Sequence, residues 1–300
     1  MKQFGIQFGL WLLFLPIGII AVGLGAQIHP RLEVMLFAKA TQYGHTIFRI
    51  TEFSTLETAP DLVTLGSSTC YRGIDPRSFT KSDLSAFNLC SSSQSFYNSS
   101  YLLQWTIQKE LAPRILLLDA YPAIWMHTGI ESSRDLTINN DLAFEWPFQQ
   151  MAWSSGDFPT MLKASYFGVK RRFVPHRTLQ GTSDTYIAGG FSYSNKAPLF
   201  TAPLCNTDSI LLNRKQRKAF SAIQQTCAEE GIQLLLVNPP QLCEEVFVRP
   251  EVMEGLPWIE GNEWPLAKVD TLYYDDHHLR GVGAELYSEW LAERVVALMD

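Results

Sequence analysis

Asp61-Leu62-Val63-Thr64-Leu65-Gly66-Ser67-Ser68 is a short apolar run that breaks at a glycine and ends in serine. A parallel strand delivers a side chain to the carboxyl edge of an open α/β sheet in this way, and such folds place their sites at that edge. Near the other end of the chain stands Asp275-Asp276-His277-His278-Leu279, which offers a carboxylate and an imidazole three residues apart. Residues so spaced in a turn or opening helix face the same way. The carboxylate can therefore hold one imidazole nitrogen while the other faces a hydroxyl. A serine hydroxyl is a weak nucleophile until a base takes its proton, and the base works best when a third group fixes its tautomer. Ser68, His278 and Asp275 are the expected trio. Gly66-Ser67-Ser68 alone also reads as a strand-to-helix turn with a serine N-cap. Its place after an apolar strand gives it weight.

Outward from that stretch, strand and helix patterns alternate. After Leu62–Leu65 come strands expected over 86–90, 114–119, 232–237 and 270–274, the last running straight into the Asp/His cluster. The uninterrupted apolar run of 114–119 is that of a strand buried on both faces. Leu103, Ile107 and Leu111 recur every four residues before Pro113. Helices are also expected over 213–230, with Phe220, Ile223 and Cys227 inward and Gly231 as the stop, and over 282–298. The alternation predicts an α/β fold, a mostly parallel five-stranded sheet with helices on both sides. Residues 125–201 break the pattern. They are rich in aromatics, with Pro and Gly scattered through them, and read as an insertion with a helix near 160–172.

Residues 4–28 contain no charged side chain. That exceeds the ~20 residues a membrane-spanning helix requires. A cleaved signal peptide is the rival reading, since Gly23 and Gly25 are small, but the run outlasts the usual apolar region of one. The expected organisation is an anchor over 1–28, a stalk over 29–60 and a domain over 61–300. Lys2 on one side and Arg31 and Lys39 on the other leave the orientation open.

The chain has 300 residues, 46% of them hydrophobic, enough for one sizeable core. A net charge of −6 and a pI near 5.6 argue against a nucleic-acid partner. Basic groups at 170–172 and 214–218 read first as solvated helix faces. Five cysteines with no CxxC spacing give no zinc motif, and one or two disulfides stay open. Asp275, Asp276, His277 and His278 have a competing metal reading, but adjacent residues point apart and no HExxH partner appears. No metal and no cofactor is expected.

These pieces resemble the SGNH/GDSL hydrolase superfamily. They are similar in particular to its membrane-anchored bacterial branch, which includes the D-alanine transfer protein of teichoic-acid modification and alginate O-acetylation proteins. The matching blocks are the strand with Gly66-Ser67-Ser68, then Gly73-Ile74-Asp75-Pro76, then Asn88-Leu89-Cys90-Ser91-Ser92-Ser93-Gln94-Ser95, and Asp275-Asp276-His277-His278-Leu279 followed by Gly283-Ala284. The resemblance covers the core on either side of the insertion and the single anchor. It implies a flavodoxin-like, SGNH-type three-layer α/β/α domain, with Ser68 as nucleophile, His278 as base and Asp275 as its orienting acid. The oxyanion would be bound by the amides of Ser68 and Ser93, with Ser93 standing where the family usually has glycine. The family's asparagine donor is missing; Asp119, Tyr121 and Trp125 follow the third strand instead. An anionic Asp119 would repel an oxyanion and is expected to be structural.

The implied activity is that of a membrane-anchored serine esterase or O-acyltransferase acting on acyl esters, with water or an extracytoplasmic cell-envelope glycan as acceptor. The domain would sit on the periplasmic or outer face of a single-pass cell-membrane protein. An integral-membrane acyltransferase is a further partner that this context admits. The alternative is a non-catalytic, membrane-tethered member of such a complex with a degenerate site.

Overall fold

The computed structural model describes residues 18, 21, 45–138, 140, 150–151, 184–198, 213–243 and 249–299. Of the span expected over 4–28 only two residues are described, and the helix expected over 160–172 lies outside the described residues. Among the described residues no helix is long and apolar enough to cross a membrane.

In chain order the elements are α1 (Thr46–Ser54), β1 (Leu62–Leu65), α2 (Ser68–Gly73), β2 (Ala86–Asn88), α3 (Phe96–Gln108), β3 (Ile115–Asp119), α4 (Ile130–Ile138), β4 (Asp184–Ile187), β5 (Phe191–Ser194), α5 (Arg214–Glu230), β6 (Gln233–Asn238), β7 (Trp258–Glu260) and α6 (Gly281–Val296). Five strands form one sheet in the order β2-β1-β3-β6-β7, and every pairing in it is parallel. Alternation along the central strands divides the core into two layers. Val63, Leu65, Leu116, Leu118, Leu234 and Leu236 face α3, α5 and α1, where Trp105, Phe220 and Phe53 are fully buried. Leu62, Ile115, Leu117, Leu235 and Val237 face α2 and α6, where Tyr71, Tyr287 and Leu291 are buried. A strand that buries both faces has to be apolar at every position, as the Ile115-Leu116-Leu117-Leu118 run is.

The fifth strand is not where the sequence suggested. Residues 270–274 form no strand: Asp270–Leu272 is a 3-10 turn, and Tyr273 makes only an isolated antiparallel bridge to Leu279. The sheet's fifth member is β7, a three-residue edge strand on β6. Trp258-Ile259-Glu260 is too short, between Pro257 and Gly261, to stand out as a period in the sequence. Residues 270–274 instead build the near side of a tight loop, closed where the Tyr274 N–H donates to the His278 carbonyl at 3.2 Å.

Two further pieces brace the sheet edge. Within the segment read as a stalk, α1 packs Ile50 and Phe53 into the core. Within the aromatic insertion, β4 and β5 form an antiparallel hairpin turning at Gly189-Gly190. The fully buried Arg49 of α1 donates from Nε to the Gly190 carbonyl at 2.7 Å and from a terminal nitrogen to Ser192 Oγ at 3.2 Å. The Asn88 N–H donates to the Gly189 carbonyl at 2.7 Å, so the hairpin covers the exposed end of β2. Gly190 has φ of +93°, and a Cβ there would lie 2.0 Å from the Asn88 carbonyl oxygen, so no other residue fits.

Candidate active site

β1 ends at Leu65, and Gly66-Ser67 turns the chain into α2, whose first residue is Ser68. The turn is held from below by Asp119 at the end of β3. One oxygen of that buried carboxylate accepts from the Ser67 N–H at 3.0 Å, the Ser67 hydroxyl at 3.2 Å and the Thr69 hydroxyl at 2.8 Å. The other accepts from the Tyr121 N–H at 2.9 Å. Both neighbours of Ser68 are thus tied to one group, while Ser68 itself is left half-exposed at the sheet edge. Burial pushes the Asp119 pKa up, and these four donors pull against that. Asp119 has its oxygens committed to the turn. The expectation that it is structural fits this arrangement, and the partners that make it so were not readable from the sequence.

The far side of α2 is tied to β2. Asn88 Nδ2 donates to the carbonyls of Cys70 and Ile74 at 3.1 and 2.9 Å, and its Oδ1 accepts from the Cys90 N–H at 3.0 Å. Cys70 and Cys90 form a disulfide, so the helix that begins at Ser68 is covalently joined to the loop carrying Ser93. Cys243 is also disulfide-bonded. Cys227 is the free cysteine among the described residues; it is buried, and burial raises its thiol pKa to about 12, so it is no rival nucleophile.

The Asp/His loop arrives opposite Ser68. His278 Nε2 lies 2.7 Å from Ser68 Oγ, and His278 Nδ1 lies 2.8 Å from Asp275 Oδ2. Asp275 Oδ1 accepts from the N–H groups of His278 at 2.7 Å and His277 at 3.1 Å. The carboxylate that would orient the imidazole therefore also closes the turn that carries it, in the manner of an Asx turn. Tyr274 stacks on the His278 ring, centroids 5.4 Å apart and planes 3° from parallel. The structure brings together all three residues of the expected trio, although they come from the two ends of the domain.

The electrostatics suit proton transfer. Burial is the largest influence on His278 and lowers its pKa; His277 and Arg72 add to the lowering, while Asp275 opposes it. For Asp275, burial raises the pKa, but the hydrogen bond and charge of His278, with those of His277, outweigh it and bring the carboxyl to about 2. At neutral pH the base is uncharged and its partner ionised. The sign for activity follows. A reaction that uses His278 as its base loses rate as pH drops through the His278 pKa, which lies below the ordinary 6.5. A kcat/KM profile on an activated ester is expected to reach half of its neutral-pH plateau below pH 6.5. An acid limb centred above 6.5 would contradict this geometry.

Ser93 has φ of +49°, the left-handed conformation that glycine takes without strain. For a serine it costs about 1 kcal/mol. The surrounding loop holds it there: the Ser91 N–H donates to the Gly66 carbonyl at 3.1 Å, Ser91 Oγ bonds Gln94 and Ser132, and the Ser95 hydroxyl donates to Asn98. Among the described residues the N–H groups of Ser68 and Ser93 donate to no protein oxygen. Among the described residues 120–138 that follow β3, none carries a side-chain amide to add a third donor.

Asp275, His277 and His278 also offer ligand atoms within 4.8 Å of one another. A cation held by all three would have to break the His278 contacts to Asp275 and Ser68, so the cluster fits a hydrogen-bonded triad better than a metal set. His277 belongs to the same loop, with Nδ1 2.6 Å from Asp276 Oδ1. In the sequence His277 stands out only as a member of the competing metal reading, and its pairing with Asp276 is not marked there.

No family model matches the chain, and no curated protein matches it. Among solved structures the chain is similar to the crystal structure of an acetyl xylan esterase, AlAXEase, at 11% identity and a TM-score of 0.34, over 80% of this chain and 100% of that one. At that TM-score, any chemistry has to be argued from this chain's own residues.

Proposed function

We propose that the chain is a serine esterase or O-acyltransferase of the SGNH type, acting on acyl esters through Ser68, His278 and Asp275. The observation that carries this reading is the unbroken relay of 2.7 Å from Ser68 Oγ to His278 Nε2 and 2.8 Å from Nδ1 to Asp275. Ser68 Oγ attacks the acyl carbon as its proton passes to His278 Nε2. Asp275 holds the tautomer and stabilises the imidazolium. The amides of Ser68 and Ser93 donate to the oxyanion, and His278 gives its proton to the leaving alkoxide. Water or a second alcohol then yields its proton to His278 and takes the acyl group. Two backbone donors in place of three suit a slow enzyme, because one missing donor costs on the order of 10²–10³ in rate.

The Cys70–Cys90 disulfide supports work in an oxidising compartment, since such bonds are rare where thiols are kept reduced. We place the domain on the extracytoplasmic side of the cell membrane, tethered through residues 4–28, with a cell-envelope polysaccharide as the acceptor or acyl carrier. An integral-membrane acyltransferase fits as the source of acyl groups. The test is a fluorophosphonate probe on membranes carrying the protein. Wild type is expected to label and Ser68→Ala to stay dark. If both stay dark while a known serine hydrolase labels, the protein is instead a non-catalytic partner of such a complex.

A further inference from the structure

His277 takes no part in the triad, yet it is built like a second copy of its base. Its Nδ1 lies 2.6 Å from Asp276 Oδ1, as His278 Nδ1 lies 2.8 Å from Asp275. A carboxylate on Nδ1 keeps the proton there and leaves Nε2 as a hydrogen-bond acceptor. That Nε2 has no partner among the described residues, and the side chain is 28% exposed, so the nitrogen is open to a ligand. The ring cannot swing freely. It stacks on Tyr121, centroids 5.7 Å apart at 11°, and its other neighbour is His278, at 4.0 Å. The loop beneath is anchored where the Leu242 N–H donates to the Asp276 carbonyl at 2.9 Å.

Once Ser68 carries an acyl group, His278 Nε2 is released from the serine hydroxyl. Two imidazole rings, 4.0 Å apart between centroids and each tied through Nδ1 to its own carboxylate, then border the acyl group, and an alcohol that carries a second hydroxyl can meet both. We infer that His277 selects the acceptor: it takes a hydrogen bond from a second hydroxyl, on the carbon next to the one being acylated. The site therefore favours vicinal diols, the arrangement found around a pyranose ring, over isolated hydroxyls. The inference rests on the acyl-Ser68 reading above. The attacking hydroxyl oxygen bonds the acyl carbon, and its proton passes to His278 Nε2. The acyl–Oγ bond then breaks, and Ser68 Oγ receives that proton. The neighbouring hydroxyl keeps its hydrogen throughout, shared with His277. His277 thus positions the acceptor and exchanges no proton.

The experiment uses the full chain, acylated with p-nitrophenyl acetate and offered ethylene glycol or 2-methoxyethanol. The two acceptors differ in whether the second oxygen carries a hydrogen. Release of p-nitrophenol is followed separately from the yield of each new ester. Wild type is expected to acylate the diol roughly tenfold faster than the ether, after allowing for its two equivalent hydroxyls, which is about the worth of one partly exposed hydrogen bond. His277→Phe keeps the stack on Tyr121 and removes the nitrogen, and its ratio is expected near one. Should that variant fail to fold, His277→Leu serves, because it also removes the nitrogen, and the ratio is again expected near one. A wild-type ratio near one, a tenfold ratio surviving in both variants, or hydrolysis with no ester of either alcohol overturns the inference. A wild type that releases no p-nitrophenol sinks the serine reading itself, and the diol selection with it.

Discussion

Asp275→Asn is expected to lower kcat on an activated ester by about 10⁴-fold, the loss that follows when a triad imidazole is held in the wrong tautomer. The reason lies in how Asp275 divides its two oxygens. Oδ1 accepts from the amides of His277 and His278, so an asparagine has to keep its oxygen there. Its NH2 then faces His278 Nδ1, 2.8 Å away in the wild type, and forces that nitrogen to accept. The imidazole proton moves to Nε2, which can no longer take the proton of Ser68 Oγ. The turn survives, so the melting temperature is expected to move little while the rate collapses. A variant that keeps more than a tenth of the wild-type kcat would show that Asp275 does not orient the base.

Asp119→Ala is expected to do the opposite, with stability as the main loss. The carboxylate is buried and accepts four hydrogen bonds, from the Ser67 amide and hydroxyl, the Thr69 hydroxyl and the Tyr121 amide. Removing it strands those donors where water does not reach. At about 1–3 kcal/mol for each buried group left unpaired, with rotation of the two hydroxyls relieving part of the cost, the loss is about 3–5 kcal/mol. Against a total of roughly 5–15 kcal/mol for a domain, that is a large share. Gly66 reports on the same contact from the other side, because a Cβ there would sit 2.1 Å from the Asp119 Cβ. Urea unfolding of Asp119→Ala measures the effect. An unfolding free energy, taken from midpoint and slope, within about 1 kcal/mol of wild type would mean that the serine turn is held by something else.

Much of this site could be read before any coordinates. An apolar strand broken by Gly66 and an Asp-x-x-His spacing each depend on local chemistry, which sequence carries directly. The central strands were legible for the same reason, since burial on both faces demands an apolar residue at every position. What escaped depends on contacts between distant segments. The Cys70–Cys90 pairing follows from β1 lying beside β2, and nothing local marks it. The left-handed φ of Ser93 is imposed by the Ser91, Gln94 and Ser132 network around it, whereas the sequence shows only a serine in place of glycine. The hairpin at Gly189-Gly190 did carry a local signal, two glycines between alternating aromatics, which the high aromatic content of its surroundings obscured. The 270–274 segment misled because apolar residues before a functional loop resemble a strand end, while here they build the loop itself.

The central claim is that Ser68 forms a covalent acyl-enzyme. Rapid quenching after mixing with p-nitrophenyl acetate, followed by peptide mass mapping, addresses it without reference to the natural substrate. One acetyl group on the peptide containing Ser68, absent from that peptide in Ser68→Ala, is the predicted result. Turnover of the ester with that peptide unmodified, or with the acetyl group on another residue, would contradict it.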